Sequence, residues 1–282
     1  MAELLKGAPV AAAISEELMK RCEELKKKGI IPCAAIVRVG ERPDDLAYEK
    51  GALKRFENIG IEVRHFVLPT DCTRSELLSV TDTVNSDSSI HGCLMFRPLQ
   101  DRETEKEACK RLLPEKDIDC MTSGSLGSVF TGSGTGFPPC TAQAVIELCD
   151  HYGIGLEGRE IAVVGRSLVI GRPVSMLLMQ RNATVTMCHT RTADLAGVCR
   201  RADIIVAAAG HAGLITSEHV RPGQIVIDVG INVTPEGRLT GDVDSASVEP
   251  VVAALTPVPG GVGSITTAVL AKHVISAAQN CA

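Results

Sequence analysis

The chain has 282 residues, a net charge of −5 and a hydrophobic content of 45%, with no Trp and only two Tyr. A chain of this length forms one large or two ordinary domains, with a core built here mainly from aliphatic side chains. The acidic balance argues against a nucleic-acid or anionic-membrane partner. No apolar run reaches the length of a membrane span and the first residues lack a signal-peptide core, so we expect a cytoplasmic protein.

The first half of the chain alternates between helix-like and strand-like segments. Apolar residues at helical spacing predict helices at 9–28, 44–58 and 75–85. Short apolar or alternating runs predict strands at 33–39, 61–68 and 91–95. Strands that alternate with helices in this way are typical of a parallel α/β architecture.

The second half repeats this alternation after the stretch 123–139, which is rich in Gly, Ser, Thr and Pro and is predicted to be a loop. Further helices are predicted at 141–152, from 173 to 180, and at 265–279. Further buried strands are predicted at 159–164, 183–188, 204–208 and 225–229. The whole chain is therefore predicted to be an α/β protein.

The eleven cysteines form no C-x-x-C pair, and no His stands at zinc-finger spacing from them. We therefore expect neither a metal site nor a disulfide framework. Most of the cysteines are expected to act as small apolar residues in a reducing compartment. A nucleophilic cysteine is the alternative, although the sequence shows no His paired with one.

A glycine-bounded turn follows the predicted strand 159–164. It begins with Gly165, Arg166 and Ser167 and ends at Gly171, where a helix is predicted to follow. Strand, glycine turn and helix form the layout in which backbone N–H groups face the pyrophosphate of a dinucleotide. The turn lacks the common G-x-G-x-x-G pattern, but its position directly after a buried strand predicts a nucleotide site.

The end of the predicted strand 183–188 indicates which dinucleotide is bound. NAD sites usually place Asp or Glu there to bind the ribose 2′-OH, whereas this chain continues with His189-Thr-Arg-Thr192. Arg166 and Arg191 supply positive charge and Thr190 supplies a hydroxyl. Because a guanidinium matches phosphate geometry, we predict NADP with its 2′-phosphate. The alternative is that Arg191 is a solvated loop cation.

Six segments share the pattern of one known family: Val164-Gly-Arg-Ser-Leu-Val-Ile-Gly171, Ala183-Thr-Val-Thr-Met-Cys-His189, Ala202-Asp-Ile-Ile-Val-Ala-Ala-Ala-Gly210, Val226-Ile-Asp-Val-Gly-Ile-Asn232, Gly241-Asp-Val-Asp244 and Pro257-Val-Pro-Gly-Gly-Val-Gly263. They resemble the bifunctional methylenetetrahydrofolate dehydrogenase/cyclohydrolases. The resemblance implies a two-lobed fold with a Rossmann-type NADP domain at 141–265. A smaller α/β folate-binding catalytic domain is implied at 1–140 and 266–282, completed by the C-terminal helix. The resemblance also implies a homodimer.

The same resemblance assigns roles to individual residues. It implies that the cofactor is contacted by Gly165, Arg166, Ser167, Thr190 and Ile231, to which the glycine turn and the charge pattern add Gly171 and Arg191. Asp228 and Asp242 are expected to shape loops rather than to take part in chemistry.

For the folate, the resemblance implies that Tyr48 and Asp119 are catalytic and bind the substrate, and that Pro259, Gly260 and Gly261 contact it. A carboxylate such as that of Asp119 can accept hydrogen bonds from two adjacent N–H donors of a pterin ring. Without the resemblance, Asp119 would be interpreted as an acid that caps a loop.

The chain departs from the family pattern close to Tyr48. The family has a Lys four residues after this Tyr, on the same face of a helix, and that position is Ala52 here. Lys50 lies at i+2, on the other side, and Lys54 matches a second family position. Phe96 replaces the Gln that supports the family Lys. The further departures are Asp45 for Ser, Arg97 beside Phe96, Cys120 for Gly and Ser264 for Pro.

These departures affect the two family reactions differently. Hydride transfer from methylenetetrahydrofolate depends mainly on positioning, whereas hydrolysis of the methenyl product benefits from a group such as a desolvated Lys. Ala52 cannot supply that group, and Arg97 cannot act as a base because guanidinium stays protonated. We therefore predict an NADP-dependent dehydrogenase whose cyclohydrolase activity is weakened or lost. The alternatives are a fully bifunctional enzyme, a non-catalytic paralogue that binds NADP and a pterin, and an NADP dehydrogenase for another small substrate.

Overall fold

The computed structural model describes residues 2–281 of the chain. In chain order its strands are β1 (Glu3–Leu4), β2 (Cys33–Val39), β3 (Glu62–Leu68), β4 (Gly92–Met95), β5 (Glu160–Val164), β6 (Thr184–Cys188), β7 (Ile204–Ala207), β8 (Ile225–Asp228), β9 (Asn232–Val233), β10 (Leu239–Thr240) and β11 (Ala254–Leu255). Its α-helices are α1 (Gly7–Lys27), α2 (Pro43–Ile59), α3 (Arg74–Ser86), α4 (Arg102–Arg111), α5 (Ser123–Thr131), α6 (Cys140–His151), α7 (Gly171–Gln180), α8 (Leu195–Arg201), α9 (Ser245–Val248) and α10 (Thr266–Asn280).

These elements form two compact units. Unit 1 contains the chain up to Ala11 and the segment Thr141–Thr266, and unit 2 contains Ala12–Cys140 and the chain from Thr267 onward. Both units are α/β, so the predicted fold class is confirmed. Within residues 2–281, every helix is too short or too polar to cross a lipid bilayer.

Unit 1 is built on a six-stranded parallel sheet in the order β1-β11-β8-β7-β5-β6. Its central strands are buried runs of aliphatic residues, as expected for a parallel sheet covered on both faces. A cluster of buried side chains that includes Val164, Ile205 and Val226 forms part of its core. The N-terminal strand β1 pairs with β11 in this sheet, a pairing that the sequence did not indicate.

Unit 2 is built on a three-stranded parallel sheet in the order β3-β2-β4. Strand β2 is central, and its residues from Cys33 to Val37 are almost completely buried. Helix α2 lies between β2 and β3 in the chain and ends at Gly60, whose φ of 88° is the left-handed conformation that terminates helices. The α2 residues Ala52 and Phe56 are both fully buried.

One predicted loop is wrong. The stretch 123–139 was expected to be irregular, but Ser123–Thr131 forms helix α5. The Thr122 hydroxyl caps it by accepting a hydrogen bond from the Ser125 N–H at 3.0 Å, and Gly132 ends it with a φ of 69°. The Gly and Ser content lowered the intrinsic helix propensity, which the cap and the burial of Val129 offset.

Candidate functional site

The strand order of unit 1 reverses at β5. Strand β6 lies on one side of β5, whereas β7 and β8 lie on the other. In open parallel sheets, ligands bind at the carboxyl ends of the strands at such a point. Gly165 follows β5 there, and a Cβ on Gly165 would lie only 2.0 Å from the carbonyl oxygen of Ala208, which follows β7. Only glycine therefore permits this approach of two backbone segments.

A second glycine begins helix α7. A Cβ on Gly171 would lie 2.2 Å from the carbonyl oxygen of Gly165, so the turn between β5 and α7 is closely packed on itself. The Ser167 hydroxyl accepts a hydrogen bond from the Ile170 N–H at 3.0 Å and lies 3.4 Å from the Gly171 nitrogen. A glycine cradle at the start of a helix suits a pyrophosphate, because backbone N–H groups and the helix dipole face an anion there.

The predicted phosphate ligands lie at the ends of two adjacent strands. Arg166 follows Gly165 at the end of β5, and Thr190 and Arg191 follow β6, which pairs with β5. The side chains of Arg166, Thr190 and Arg191 are exposed. Among residues 2–281, no ion pair engages either arginine. Both guanidinium groups can therefore meet an anionic ligand without first giving up a carboxylate.

The Pro-Gly-Gly segment lines a cavity of about 210 Å³ in unit 1. Pro259, Gly260, Gly261 and Ile231 all border this cavity. A Cβ on Gly261 would lie 2.5 Å from the carbonyl oxygen of Pro257, and Gly260 has a φ of 104°. The loop therefore needs its glycines for its own conformation, and the Ile231 side chain, 65% exposed, offers an apolar surface beside it.

Two buried acids in unit 1 organise the loops beside the sheet. Asp242 accepts hydrogen bonds from the backbone N–H groups of Ala209, Gly210 and His211 at 2.6–2.9 Å. Asp228 accepts from three more backbone N–H groups, including that of Asp242 at 3.0 Å. The expectation that both acids shape loops is confirmed, because their oxygens are occupied by backbone donors.

In unit 2, helix α2 carries the half-buried Tyr48 and, one turn later, the fully buried Ala52. The Phe96 ring packs edge-on against the Tyr48 ring, with centroids 6.1 Å apart and planes 81° apart. Lys50 and Lys54, the nearest lysines on this helix, are both exposed. The face of α2 that holds Tyr48 therefore presents an aromatic neighbour and no amine at position 52.

Asp45 is engaged by an arginine that the sequence did not single out. The Arg42 guanidinium binds both carboxylate oxygens of Asp45, at 2.7 and 2.8 Å, and this pairing raises the pKa of Arg42. Arg42 also donates to the carbonyl oxygen of Pro98 at 2.8 Å. A bidentate pair occupies the Asp45 carboxylate, so Asp in place of the family Ser does not add an open negative charge. Through Arg42, it secures the loop after Phe96.

Asp119 is partly exposed and accepts a hydrogen bond from the Cys140 N–H at 3.1 Å. Burial of the carboxyl raises the pKa of Asp119 above its usual value, while the hydrogen bonds from Cys140 and the charge of Arg97 act in the opposite direction. The following residue, Cys120, adopts a φ of 57°, a left-handed conformation that costs about 1 kcal/mol for a non-glycine residue. The chain thus keeps a glycine-type turn immediately after the candidate pterin ligand.

Arg42, Cys140 and His273 are the residues of these sites that sequence reasoning missed. Cys140 and His273 are 133 positions apart and meet only in the folded unit. Arg42 stands between Glu41 and Pro43, and only its spacing of three residues from Asp45 could have indicated the pair.

Two models of one family match most of the chain. Residues 5–119 match the tetrahydrofolate dehydrogenase/cyclohydrolase catalytic domain, and residues 139–282 match the NAD(P)-binding domain of the same family.

Individual relatives agree with this match. The bifunctional protein FolD of Carboxydothermus hydrogenoformans is 51% identical over 281 residues, which cover 99% of this chain and 98% of the relative. The corresponding protein of Clostridioides difficile is 49% identical over 277 residues, covering 98% and 96%.

Solved structures are similar over the same length. The bifunctional FolD methylenetetrahydrofolate dehydrogenase/cyclohydrolase of Campylobacter jejuni superposes with a TM-score of 0.94 at 38% identity, covering 99% of both chains. The Trypanosoma brucei enzyme, solved with NADP cofactor and an inhibitor, has a TM-score of 0.91 at 33% identity, covering 99% of this chain and 98% of that one. The chain therefore belongs to the tetrahydrofolate dehydrogenase/cyclohydrolase family.

Proposed function

We propose that the chain oxidises 5,10-methylenetetrahydrofolate to 5,10-methenyltetrahydrofolate with NADP⁺, and that its cyclohydrolase step is weakened or lost. Membership of the family and the names of the relatives support the dehydrogenase. The NADP complex of the Trypanosoma brucei relative supports the choice of cofactor. The observation that carries the second half of the proposal is Ala52, which is fully buried one helical turn after Tyr48.

The first reaction makes modest demands on protein side chains. NADP⁺ would supply the hydride acceptor for the one-carbon bridge, and the folate nitrogens that flank this bridge would stabilise the resulting cation. No protein acid or base has to move a proton in this step. The protein supplies position and a site that excludes water, which together account for most of the rate enhancement in such reactions. Loss of the family Lys is compatible with this step.

The second reaction requires proton transfer. Water attacks the methenyl cation, loses a proton and opens the ring. A buried Lys serves this step because desolvation lowers its pKa toward neutrality. The nearest substitutes are poor: Lys50 and Lys54 are exposed, and Arg97 stays protonated. Loss of one positioned general acid or base typically costs about 10²–10⁴-fold in rate.

Residue roles in unit 2 follow from this chemistry. Tyr48 and Asp119 are proposed to bind the pterin, with the Asp119 carboxylate accepting hydrogen bonds from adjacent ring N–H donors. Its raised pKa means that the ionised form needed for this contact is lost at a higher pH than for an ordinary carboxyl.

Residue roles in unit 1 complete the proposal. NADP is proposed to bind at two groups of residues. The first is the turn after β5, with Gly165, Arg166, Ser167 and Gly171, and the second consists of Thr190, Arg191 and Ile231. Pro259, Gly260 and Gly261 are proposed to contact the folate. The two arginines would meet the 2′-phosphate, and the two cradle glycines would admit the pyrophosphate. A homodimer, implied by the family resemblance, and a cytoplasmic location, expected from the sequence, belong to the same proposal.

A two-signal assay on the purified protein tests the function. With methylenetetrahydrofolate and NADP⁺, NADPH and the methenyl product are followed separately. We expect both to rise together, with the methenyl species disappearing at the rate measured in buffer or far more slowly than it is formed. NADPH that rises without accumulation of the methenyl species would mean that hydrolysis is intact and the enzyme is fully bifunctional. No NADPH at all would refute the dehydrogenase.

A further inference from the structure

A buried ion pair lies next to Tyr48 in unit 2 and has no role in the proposed function. Arg38 belongs to the central strand β2, and Glu49 directly follows Tyr48 on helix α2. Arg38 Nε donates to Glu49 Oε2 at 2.8 Å, and the two side chains are only 8% and 7% exposed. This contact, which we call the Arg38–Glu49 pair, links the helix that carries Tyr48 to the middle of the sheet.

Each member of the pair has a second contact. His65 Nδ1, on strand β3, lies 3.2 Å from the other carboxylate oxygen of Glu49. The Arg38 guanidinium also donates to the carbonyl oxygen of Gly40, which follows β2. Strands β2 and β3 are hydrogen-bonded neighbours. The Glu49 carboxylate is therefore held from two adjacent strands, and its position relative to the sheet is fixed.

A buried ion pair adds little to stability but restricts direction. Burying two charges is costly, and well-packed apolar residues in their place are often equally stabilising. Glu49 shares the buried face of α2 with Ala52 and Phe56. Apolar packing of such residues loses a unique arrangement before it loses stability. A charge-assisted hydrogen bond requires an aligned donor and acceptor, so the Arg38–Glu49 pair fixes the rotation of α2 about its own axis.

The rotation of α2 determines where Tyr48 points. Neighbouring residues of a helix differ in direction by about 100°, so a fixed Glu49 also fixes the direction of the side chain before it. Tyr48 is half-buried and meets the Phe96 ring only edge-on. We propose that Arg38 and Glu49 are positioning residues that direct the Tyr48 side chain toward the pterin. This inference rests on the proposed function, in which Tyr48 binds the pterin.

Two variants separate positioning from stability. Arg38→Met combined with Glu49→Leu replaces the pair by apolar side chains, so the melting temperature should stay the same or rise. The KM for methylenetetrahydrofolate should nevertheless rise about fivefold, because a misplaced substrate contact is costly, and the KM for NADP⁺ should not change. Glu49→Gln keeps an acceptor for Arg38 Nε but leaves the buried charge of Arg38 uncompensated. It should lower the melting temperature and retain the wild-type folate KM.

A spectroscopic signal from Tyr48 gives a readout without substrate. The chain has only two Tyr, so protein labelled with 3-fluorotyrosine gives two ¹⁹F NMR resonances, and Tyr152→Phe assigns the one that belongs to Tyr48. This resonance should shift or broaden in the apolar double variant and keep its wild-type position in Glu49→Gln. That result supports the positioning role even if methylenetetrahydrofolate is not turned over, an outcome that would refute only the function.

Two results would overturn the inference. One is a folded apolar double variant with the wild-type Tyr48 resonance and folate KM, because apolar packing alone would then position Tyr48. The other is a larger change in Glu49→Gln than in the double variant, which would mean that the pair affects only stability. If the double variant does not fold, Arg38→Lys decides, since it keeps the charge but lacks the planar fork. A shifted Tyr48 resonance then supports the inference, and an unchanged one overturns it.

Discussion

Restoring an amine at position 52 should restore the second reaction. Ala52 is fully buried and Phe96, which packs against Tyr48, is 8% exposed. We therefore pair Ala52→Lys with Phe96→Gln, which removes an aromatic ring and supplies a polar partner. Burial lowers the pKa of the introduced Lys, which brings it closer to the working pH of a general base.

The size of the effect follows from the group that is missing. A positioned acid or base contributes about 10²–10⁴-fold, which corresponds to roughly 3–5 kcal/mol of barrier. We expect the double variant to hydrolyse methenyltetrahydrofolate about 10²-fold faster than the wild type. Ala52→Lys alone should accelerate this hydrolysis less, because the Phe96 ring remains and offers the introduced Lys no hydrogen bond.

The assay follows the decay of methenyltetrahydrofolate with each variant and measures dehydrogenase activity in the same samples. Ala52→Met with Phe96→Gln is the matched control, since Met has similar length but no amine. If the Lys variant folds, retains dehydrogenase activity within a few-fold and hydrolyses no faster than the Met control, the absence of the Lys does not explain the chemistry of this chain.

Three further predictions concern the other sites. Exchanging Arg166 and Arg191 together for Ala should raise the KM for NADP⁺ at least tenfold and leave the KM for NAD⁺ within about threefold of its wild-type value. The reason is that only NADP⁺ carries a 2′-phosphate. Equal changes of KM for both cofactors would contradict this prediction. Gly165→Ala places a Cβ 2.0 Å from the Ala208 carbonyl oxygen and should abolish cofactor binding or lower the melting temperature, both measurable by thermal shift with and without NADP⁺; normal values for both would refute the close approach. Since burial raises the pKa of Asp119 and the ionised form accepts the pterin, kcat/KM for the folate should fall as the pH drops through a value above the usual ~4, and Asp119→Asn should remove this limb.

Much of the fold could be predicted because many of its strands are short aliphatic runs bounded by turn signals. Strand β2 coincides with the predicted segment 33–39, since a short aliphatic run between turn signals has few alternatives in an α/β chain. Helix α4 was missed because only Thr104 and Ala108 of its ten residues are buried, which leaves no apolar stripe to detect. Helix α5 was missed because its Gly and Ser content indicates a loop, whereas its cap and tertiary burial favour the helix.

The candidate sites were predictable where their residues follow strand ends or match a family motif. Gly165 and Arg191 belong to this group, because the end of a parallel strand is where cofactor residues are expected. Only a spacing of three residues could have indicated the pairing of Asp45 with Arg42. The contact of Cys140 with His273 was not predictable, since partners 133 positions apart depend on tertiary packing. The sequence showed Asp45 only as a departure from the family pattern, whereas the structure shows that Arg42 occupies its carboxylate.

The proposed enzyme keeps the dehydrogenase and lacks an effective cyclohydrolase. The most direct measurement is the decay of purified methenyltetrahydrofolate in the presence and absence of the wild-type enzyme, at an enzyme concentration that gives easily measured dehydrogenase turnover. We expect the same decay rate with and without enzyme, or an enzyme-dependent decay rate at least 10²-fold below the dehydrogenase rate. Decay in the presence of enzyme that matches the dehydrogenase rate would contradict it, and would show that another group performs the work of the missing lysine.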